Sequence, residues 1–306
     1  MAVIAITGTP VAGTKYTVTT ASSADWASVS NSTYFFDLTD KLVHYKDSTG
    51  AIIELFSTGG VNNILYLKPT EIYRGISFNN NSTTVQTDGG VVMSTTASNS
   101  AQSVASTNFT TKQIRLRYYA SIVAGGRYTA TRGSALLWFL QGGFRFVCDF
   151  NISDTAYAAG CRQFYGLAGQ ITDLTYSDTV LVSSLINCIG VGSDALDTNL
   201  QVFYNDATGT ASKIDLGVDF PSNRTAGAIS TTVYSIILFN EPSSTSVTYR
   251  VVNNETGVVA TGSLSTDLPA TTQGLNFFAS RCMGGAGGVT NSGQFDLMRL
   301  GVYSQL

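Results

Sequence analysis

Three aspartates stand close together in NLQVFYNDATGTASKIDLGVDFPSN, residues 199–223: Asp206, Asp215 and Asp219. Carboxylates at short spacing can cleave a glycosidic bond as a pair, hold a cation as a cluster, or cap turns singly. In KIDLGVDF the apolar Ile214, Leu216 and Val218 alternate with Asp215, Gly217 and Asp219. That pattern predicts a strand with one apolar and one acidic face. Four strand residues separate Asp215 from Asp219, about 13 Å of rise. Glycosidase carboxyls stand about 5–5.5 Å apart in retaining enzymes and about 6.5–9.5 Å apart in inverting ones. The two aspartates are no such pair unless the strand bends sharply. Asp206 lies across the ATGTAS turn and could approach Asp215. YNDATGT lacks the alternating acidic ligands of a calcium loop, and calcium takes roughly six to eight oxygens. Asp206 and Asp215 are thus the candidates for a cation site, hairpin trim is the favoured reading, and no metal or other cofactor is expected.

The other polar residues give little catalytic material. The only histidine, His44, sits in KLVHYKD. Ser- and Cys-nucleophile mechanisms usually need a histidine base, and this one reads as a strand residue at a turn edge. The glutamates are Glu54, Glu71, Glu241 and Glu255, none with a carboxylate two to four residues away. Asp173 with Asp178 is the other sequence-local acidic pair, beside Asp206 with Asp215. Asp194 and Asp197 in GSDALDTN flank a turn, where Asp usually bonds backbone N–H groups. The Gly-rich MGGAGGVTNSG, 283–293, lacks the Lys-Ser/Thr of a phosphate loop and reads as a strand connection. Its Gly285 and Asn291 are ligand candidates only because such loops lie at an end of a sandwich.

Residues 89–148 hold no acid but carry Lys112, Arg115, Arg117, Arg127, Arg132 and Arg145. Arg115 and Arg117 share one strand face, with Ile114, Leu116 and Tyr118 opposite. They are candidates for an anionic glycan or nucleic acid; the favoured alternative is structural, pairing with acidic residues of another subunit, the second half of the chain being Asp-rich. The net charge of −3 gives no global pull toward nucleic acid or acidic lipid. Cys148, Cys161, Cys188 and Cys282 are too scattered for a close-spaced zinc or redox motif. Cys148 in GFRFVCDF shares a strand face with Phe144, Phe146 and Phe150 and reads as a buried thiol.

These residues must be positioned by sheets. Only 12% of the chain is charged, too little to clothe many solvated helices. Short alternating runs separated by turn residues recur throughout. Residues 1–58 read as a small β unit, in which KDSTG is a hairpin turn with Gly50 free to take positive φ. Residues 59–70 are a connector, broken by Gly59-Gly60 and ended by Pro69. From 71 to 306 the pattern is one two-sheet β-sandwich. The start MAVIAITGTPVAG lacks a basic segment and a long apolar run, so no signal peptide is expected. No run approaches the ~20 apolar residues of a membrane span. A soluble protein made in a cytoplasm is the expectation.

The segments GFRFVCDFNISD, CRQFYGLAG and LINCIGVGSDALDTNLQVFYNDATGTASKIDLG follow in order. After them come YSIILFNEPSSTSVTYRVVNNETG and FFASRCMGGAGGVTNSGQFDLMRLGVY. Together they resemble the concanavalin A-like jelly roll. With YFFDLTDKLVHYKDSTGAIIELF ahead of it, the whole chain is similar to bacteriophage virion appendage proteins, the head and tail fibres of crAss-like phages among them. The resemblance implies a homotrimer in the virion. Its N-terminal unit would attach to a capsid or tail protein, and its C-terminal domain would face outward to a host-surface glycan. The expectation is a structural protein, not an enzyme, with no specific nucleic-acid partner. A carbohydrate-binding module without a fibre role is the alternative, and a glycan depolymerase comes third. Neither Trp26 nor Trp138 reads as a sugar platform: Trp138 is flanked by apolar residues and Trp26 lies in the N-terminal part.

Overall fold

A computed structural model describes residues 4–6, 20–21, 23–37, 42–54, 74–76, 84–88, 92–95, 98–119, 128–133, 138–139, 142–154, 161–169, 182–222, 232–282 and 294–304. The chain forms two compact units, Met1–Lys68 and Pro69–Leu306. The expected connector, 59–70, lies outside the described residues, as do Asp173, Asp178, Gly285 and Asn291.

The first unit is one small sheet. It holds β1 (Ile4–Ile6), β2 (Thr20–Ala21), β3 (Thr33–Asp37), β4 (Leu42–Lys46) and β5 (Ile52–Glu54). β3 lies between β1 and β4, β5 follows β4, and β2 adds a short parallel pairing to β3. The KDSTG turn forms as its residue types demand. Asp47 Oδ1 accepts hydrogen bonds from the backbone N–H groups of Thr49 and Ala51, and Gly50 takes a φ of 90°. His44 is buried, not at a turn edge. Its ring stacks on Phe35 at 5.4 Å and lies 4.9 Å from the ring of Trp26. Lys46 is buried too. Its ammonium donates to the carbonyls of Trp26, Ala27 and Val29, which close the 3-10 helix Ser23–Ser28. A cation over terminal carbonyls satisfies acceptors that the helix itself cannot.

The second unit is a sandwich of two antiparallel sheets. Its strands begin with β6 (Arg74–Ile76), β7 (Thr84–Asp88), β8 (Val92–Thr95), β9 (Ser98–Gln102), β10 (Arg115–Tyr119) and β11 (Tyr128–Gly133). Next come β12 (Trp138–Phe139), β13 (Phe144–Ile152), β14 (Arg162–Ala168), β15 (Cys188–Ser193), β16 (Gln201–Asn205) and β17 (Ser212–Asp215). The last are β18 (Val233–Asn240), β19 (Val247–Asn253), β20 (Val259–Leu264), β21 (Gly274–Cys282) and β22 (Gln294–Ser304). One sheet runs β20-β19-β18-β13-β22-β10-β9, with β6 beside the second half of β22. The other runs β17-β16-β15-β14-β21-β11-β8-β7, with β12 beside the start of β21. β7 also pairs with β6 and so joins the two sheets along one edge.

The core lies between the sheets. Phe144, Phe146, Cys148 and Phe150 face inward as the alternation predicts, and every one is buried. The Phe150 ring stacks on Tyr165 of the opposite sheet at 3.8 Å, and Phe146 meets Phe277 at 6.0 Å. Each such apolar side chain contributes about 1.5–3 kcal/mol by leaving water. β14, β15 and β21 are buried on both faces, because a second cluster of Phe164, Phe203, Phe278 and Cys188 lies under Val182 and Leu185. This is why RQFYGLA and CIGVGS read as continuous buried strands. Gly192 is needed there: a Cβ would lie 2.2 Å from the Gln163 carbonyl oxygen.

β22 carries a bulge. Asp149 pairs with Arg299 and Phe150 with Leu297, which leaves Met298 as the extra residue. The bulge resets the alternation, so Phe295, Leu297 and Leu300 all join the core despite their odd and even spacing. It also places Met298 and Arg299 together beside the outer surface of this sheet.

Candidate binding cleft

The hairpin of β16 and β17 settles the opening aspartates. Gln201 pairs with Asp215 and Tyr204 with Ser212, and the turn takes its positive φ at Gly209. Asp215 is therefore at the far end of the hairpin from Asp206, about 17 Å along the strand. The structure does not bring them together. Asp206 Oδ1 accepts from the Thr208 N–H and hydroxyl, a local turn cap. Asp215 accepts from Asn199 and from the Gly217 N–H at 2.7 Å. Partial burial works against ionisation there, and those hydrogen bonds outweigh it, holding the carboxyl below its usual range. The apolar face expected of KIDLGVDF ends early. Gly217 takes a φ of 85°, the strand stops at Asp215, and Val218 is 83% exposed while Phe220 is buried. Asp219 falls in that turn. Sequence reading missed Asp267, whose two oxygens accept from the N–H groups of Asp206 and Ser212 and so clamp the hairpin.

Asp197 caps the turn, its Oδ2 accepting from the Asp194 N–H at 2.8 Å, whereas Asp194 Oδ1 accepts from the Ser183 N–H outside the turn. Lys213 Nζ bridges both carboxylates at 3.2 and 3.0 Å. Burial of Lys213 alone would lower its pKa; the two carboxylates raise it. Their charge is spent inside the protein. The same holds for the arginines. Arg117 donates from Nε and Nη2 to the two oxygens of Asp296, and Arg115 Nε donates to Asp296 Oδ2 at 3.0 Å. Asp296 is fully buried and also accepts from the Ser153 hydroxyl. The basic face is a structural pairing with β22 of the same chain, not with acidic residues of another subunit as expected. Ile114 does not join Leu116 and Tyr118 in the core; it precedes β10 and is 63% exposed. A second buried pair, Arg281 with Asp154, extends to Gln163. Burial raises the Asp154 carboxyl against the pull of Arg281.

Arg115 has a further task. Its Nη1 donates to the carbonyls of Ser103, Thr110 and Gln113 at 3.3–3.5 Å. It fastens the loop between β9 and β10 over the sheet. That loop carries Phe109 to one wall of an open cleft of about 380 Å³. Gln113 comes from the same loop, Asp149 from β13, Ser235 from β18, Asn254 from the turn after β19, and Met298 and Arg299 from the bulge. Phe109 is 40% exposed. Asp149 and Arg299 form a bidentate pair across the strands, with Nε–Oδ2 at 2.8 Å and Nη2–Oδ1 at 3.1 Å. Asn254 Nδ2 donates to the Val233 carbonyl and the Ser235 hydroxyl, and its amide oxygen has no partner among the described residues. The Gln113 side chain makes no hydrogen bond among the described residues.

An exposed aromatic ring, two amides and a carboxylate–guanidinium pair around one cleft suit a polar ligand with an apolar face. The ring covers C–H groups, and the amides and charged pair exchange hydrogen bonds with hydroxyls. Sequence reasoning missed Phe109, Gln113 and Asn254. The available signal was an aromatic residue isolated in the Ser/Thr/Asn loop STNFTT. Trp26 packs on Phe35 and His44, and the Trp138 side chain is outside the described residues.

No family model matches the sequence, and no curated protein matches it significantly. Solved structures are similar in strand arrangement. A protein of unknown function from Shewanella oneidensis MR-1 has a TM-score of 0.49 at 12% identity, over 78% of this chain and 89% of that one. Peanut lectin has a TM-score of 0.47 at 12% identity, over 77% of this chain and 98% of that one. A carbohydrate esterase of the Shiga toxin-encoding bacteriophage phi24B has a TM-score of 0.41 at 14% identity, over 70% and 90%.

Proposed function

We propose that this chain is a recognition protein of a bacteriophage virion, a fibre or spike that contacts host-surface glycan through its C-terminal sandwich. The observation that carries the glycan contact is the Phe109 cleft, which brings together an exposed ring, the side-chain amides of Gln113 and Asn254 and the Asp149–Arg299 pair. The division into a small N-terminal unit and a large sandwich supports an anchor and a displayed domain. In this reading the N-terminal unit attaches to a capsid or tail protein, and three copies assemble. The reading is non-enzymatic. Asp149 is bound to Arg299, and Asp194 and Asp197 are bound to Lys213, so each of these carboxylates already has a cationic partner.

The cleft equally favours a carbohydrate-binding module with no fibre role, because nothing in its geometry requires the anchor. Light scattering on the full chain and gold labelling of intact particles separate the two. A trimer and particle-bound label support the virion reading. A monomer that never labels particles leaves the free-standing module.

A further inference from the structure

We propose a second ligand site, for one small neutral polyol of monosaccharide size, at the opposite end of β18 from the Phe109 cleft. A cleft of about 250 Å³ lies between the β18–β19 turn and the β20–β21 loop. It is smaller than the roughly 300–1,000 Å³ typical for drug-sized ligands. Its apolar floor is Val247, Leu268 and Pro269, and hydroxyl-bearing residues such as Thr245 and Thr271 line the rest.

Asn240 marks the cleft as unfinished. It lines the cleft and is 1% exposed. Its Nδ2 donates to the carbonyls of Ser244 and Ser246 at 3.2 and 2.8 Å. Carbonyls only accept, so the amide cannot be turned the other way. Its Oδ1 is therefore the acceptor, and it is buried with no donor among the described residues. A buried acceptor without a partner is destabilising until a donor is supplied; Oδ1 is closed to solvent, so the ligand hydroxyl that supplies one displaces part of the cleft wall. Among the described residues Asp267 is the one charged residue at the cleft, and both its oxygens already accept backbone N–H groups. The class is accordingly neutral, donor-rich and apolar on one face, which describes a pyranose ring. This site is independent of the Phe109 cleft and of the virion reading.

Saturation-transfer NMR on the full chain with a panel of neutral methyl glycosides tests it. Ala270→Trp fills the cleft from an exposed rim position, and Asn240→Ala removes the acceptor. Wild type is expected to transfer magnetisation to at least one glycoside. Ala270→Trp should cut that signal at least tenfold, and Phe109→Ala should leave that component in place. If Asn240→Ala fails to fold, Ala270→Trp alone carries the test. A signal that survives Ala270→Trp and vanishes in Phe109→Ala would overturn this site while upholding the other cleft. No transfer from wild type, or preference for an ammonium or carboxylate sugar, would also overturn it.

Discussion

Arg115 donates from Nε to the fully buried Asp296 and from Nη1 to three carbonyls of the loop that carries Phe109. One guanidinium thus joins the final strand to the candidate binding loop. Asp296 also accepts from Nε and Nη2 of Arg117, its cross-strand partner. The acid sets the position of Phe109 without touching the cleft.

Asp296→Ala leaves Arg115 buried without its carboxylate. Breaking such a buried pair costs about 3–5 kcal/mol. Urea unfolding should show a loss of that size, and amide exchange across residues 103–113 should accelerate. Unchanged exchange in a folded variant would contradict the fastening role of Arg115.

Acid should weaken the fold partly through Asp215. Its folded pKa is lowered from 3.8 because hydrogen bonds from Gly217 and Asn199 outweigh partial burial. The stability it contributes is present above the unfolded value of 3.8 and is lost as pH falls through the folded value. Melting temperature measured from pH 6 to pH 2 should therefore fall less steeply at the acid end in Asp215→Asn than in wild type. Parallel curves would contradict this.

The thiols should be silent in the folded protein. All four cysteines are buried, and none is in a disulfide. Burial pushes Cys161 and Cys188 up to about 12 and raises Cys148 well above its usual value. Iodoacetamide at pH 8 should label none of them in native buffer and all of them in denaturant. Rapid native labelling would contradict the packing of β13, β14, β15 and β21.

Two glycines should separate crowding from backbone conformation. Gly192→Ala puts a methyl group 2.2 Å from the Gln163 carbonyl oxygen, inside a sheet buried on both faces, and overpacking of this kind costs about 1–3 kcal/mol. At Gly209 nothing lies within 4 Å, so Gly209→Ala meets only the strain of a φ of 76°, about 1–2 kcal/mol. Chemical denaturation of both variants checks the pair. A neutral Gly192→Ala would mean that β14 and β15 are not packed this closely.

The sandwich was legible because GFRFVCDF and SVTYRVV alternate cleanly, and alternation is what a half-buried strand requires. The hairpin of β16 and β17 was legible for the same reason, but its end was not. Gly217 in KIDLGVDF breaks the strand by taking positive φ, and the glycine itself was the available sign. The bulge at Met298 left no periodic trace, since FDLMRL fits either register. The ion pairs joining Arg115 and Arg117 to Asp296 span about 180 residues of sequence, a separation that only the closed sheet resolves. Phe109 escaped notice because a loop residue has no periodicity; its role depends on Arg115 holding the loop and on three other strands supplying the remaining walls.

The central claim is that the Phe109 cleft recognises glycan. A glycan array probed with the full chain and with Phe109→Ala tests it most directly. Phe109 lies outside the buried core, so the variant should fold as wild type does. Wild type is expected to retain a defined set of glycans, and Phe109→Ala to lose them by at least tenfold. No retained glycan, or identical retention by both proteins, would contradict it.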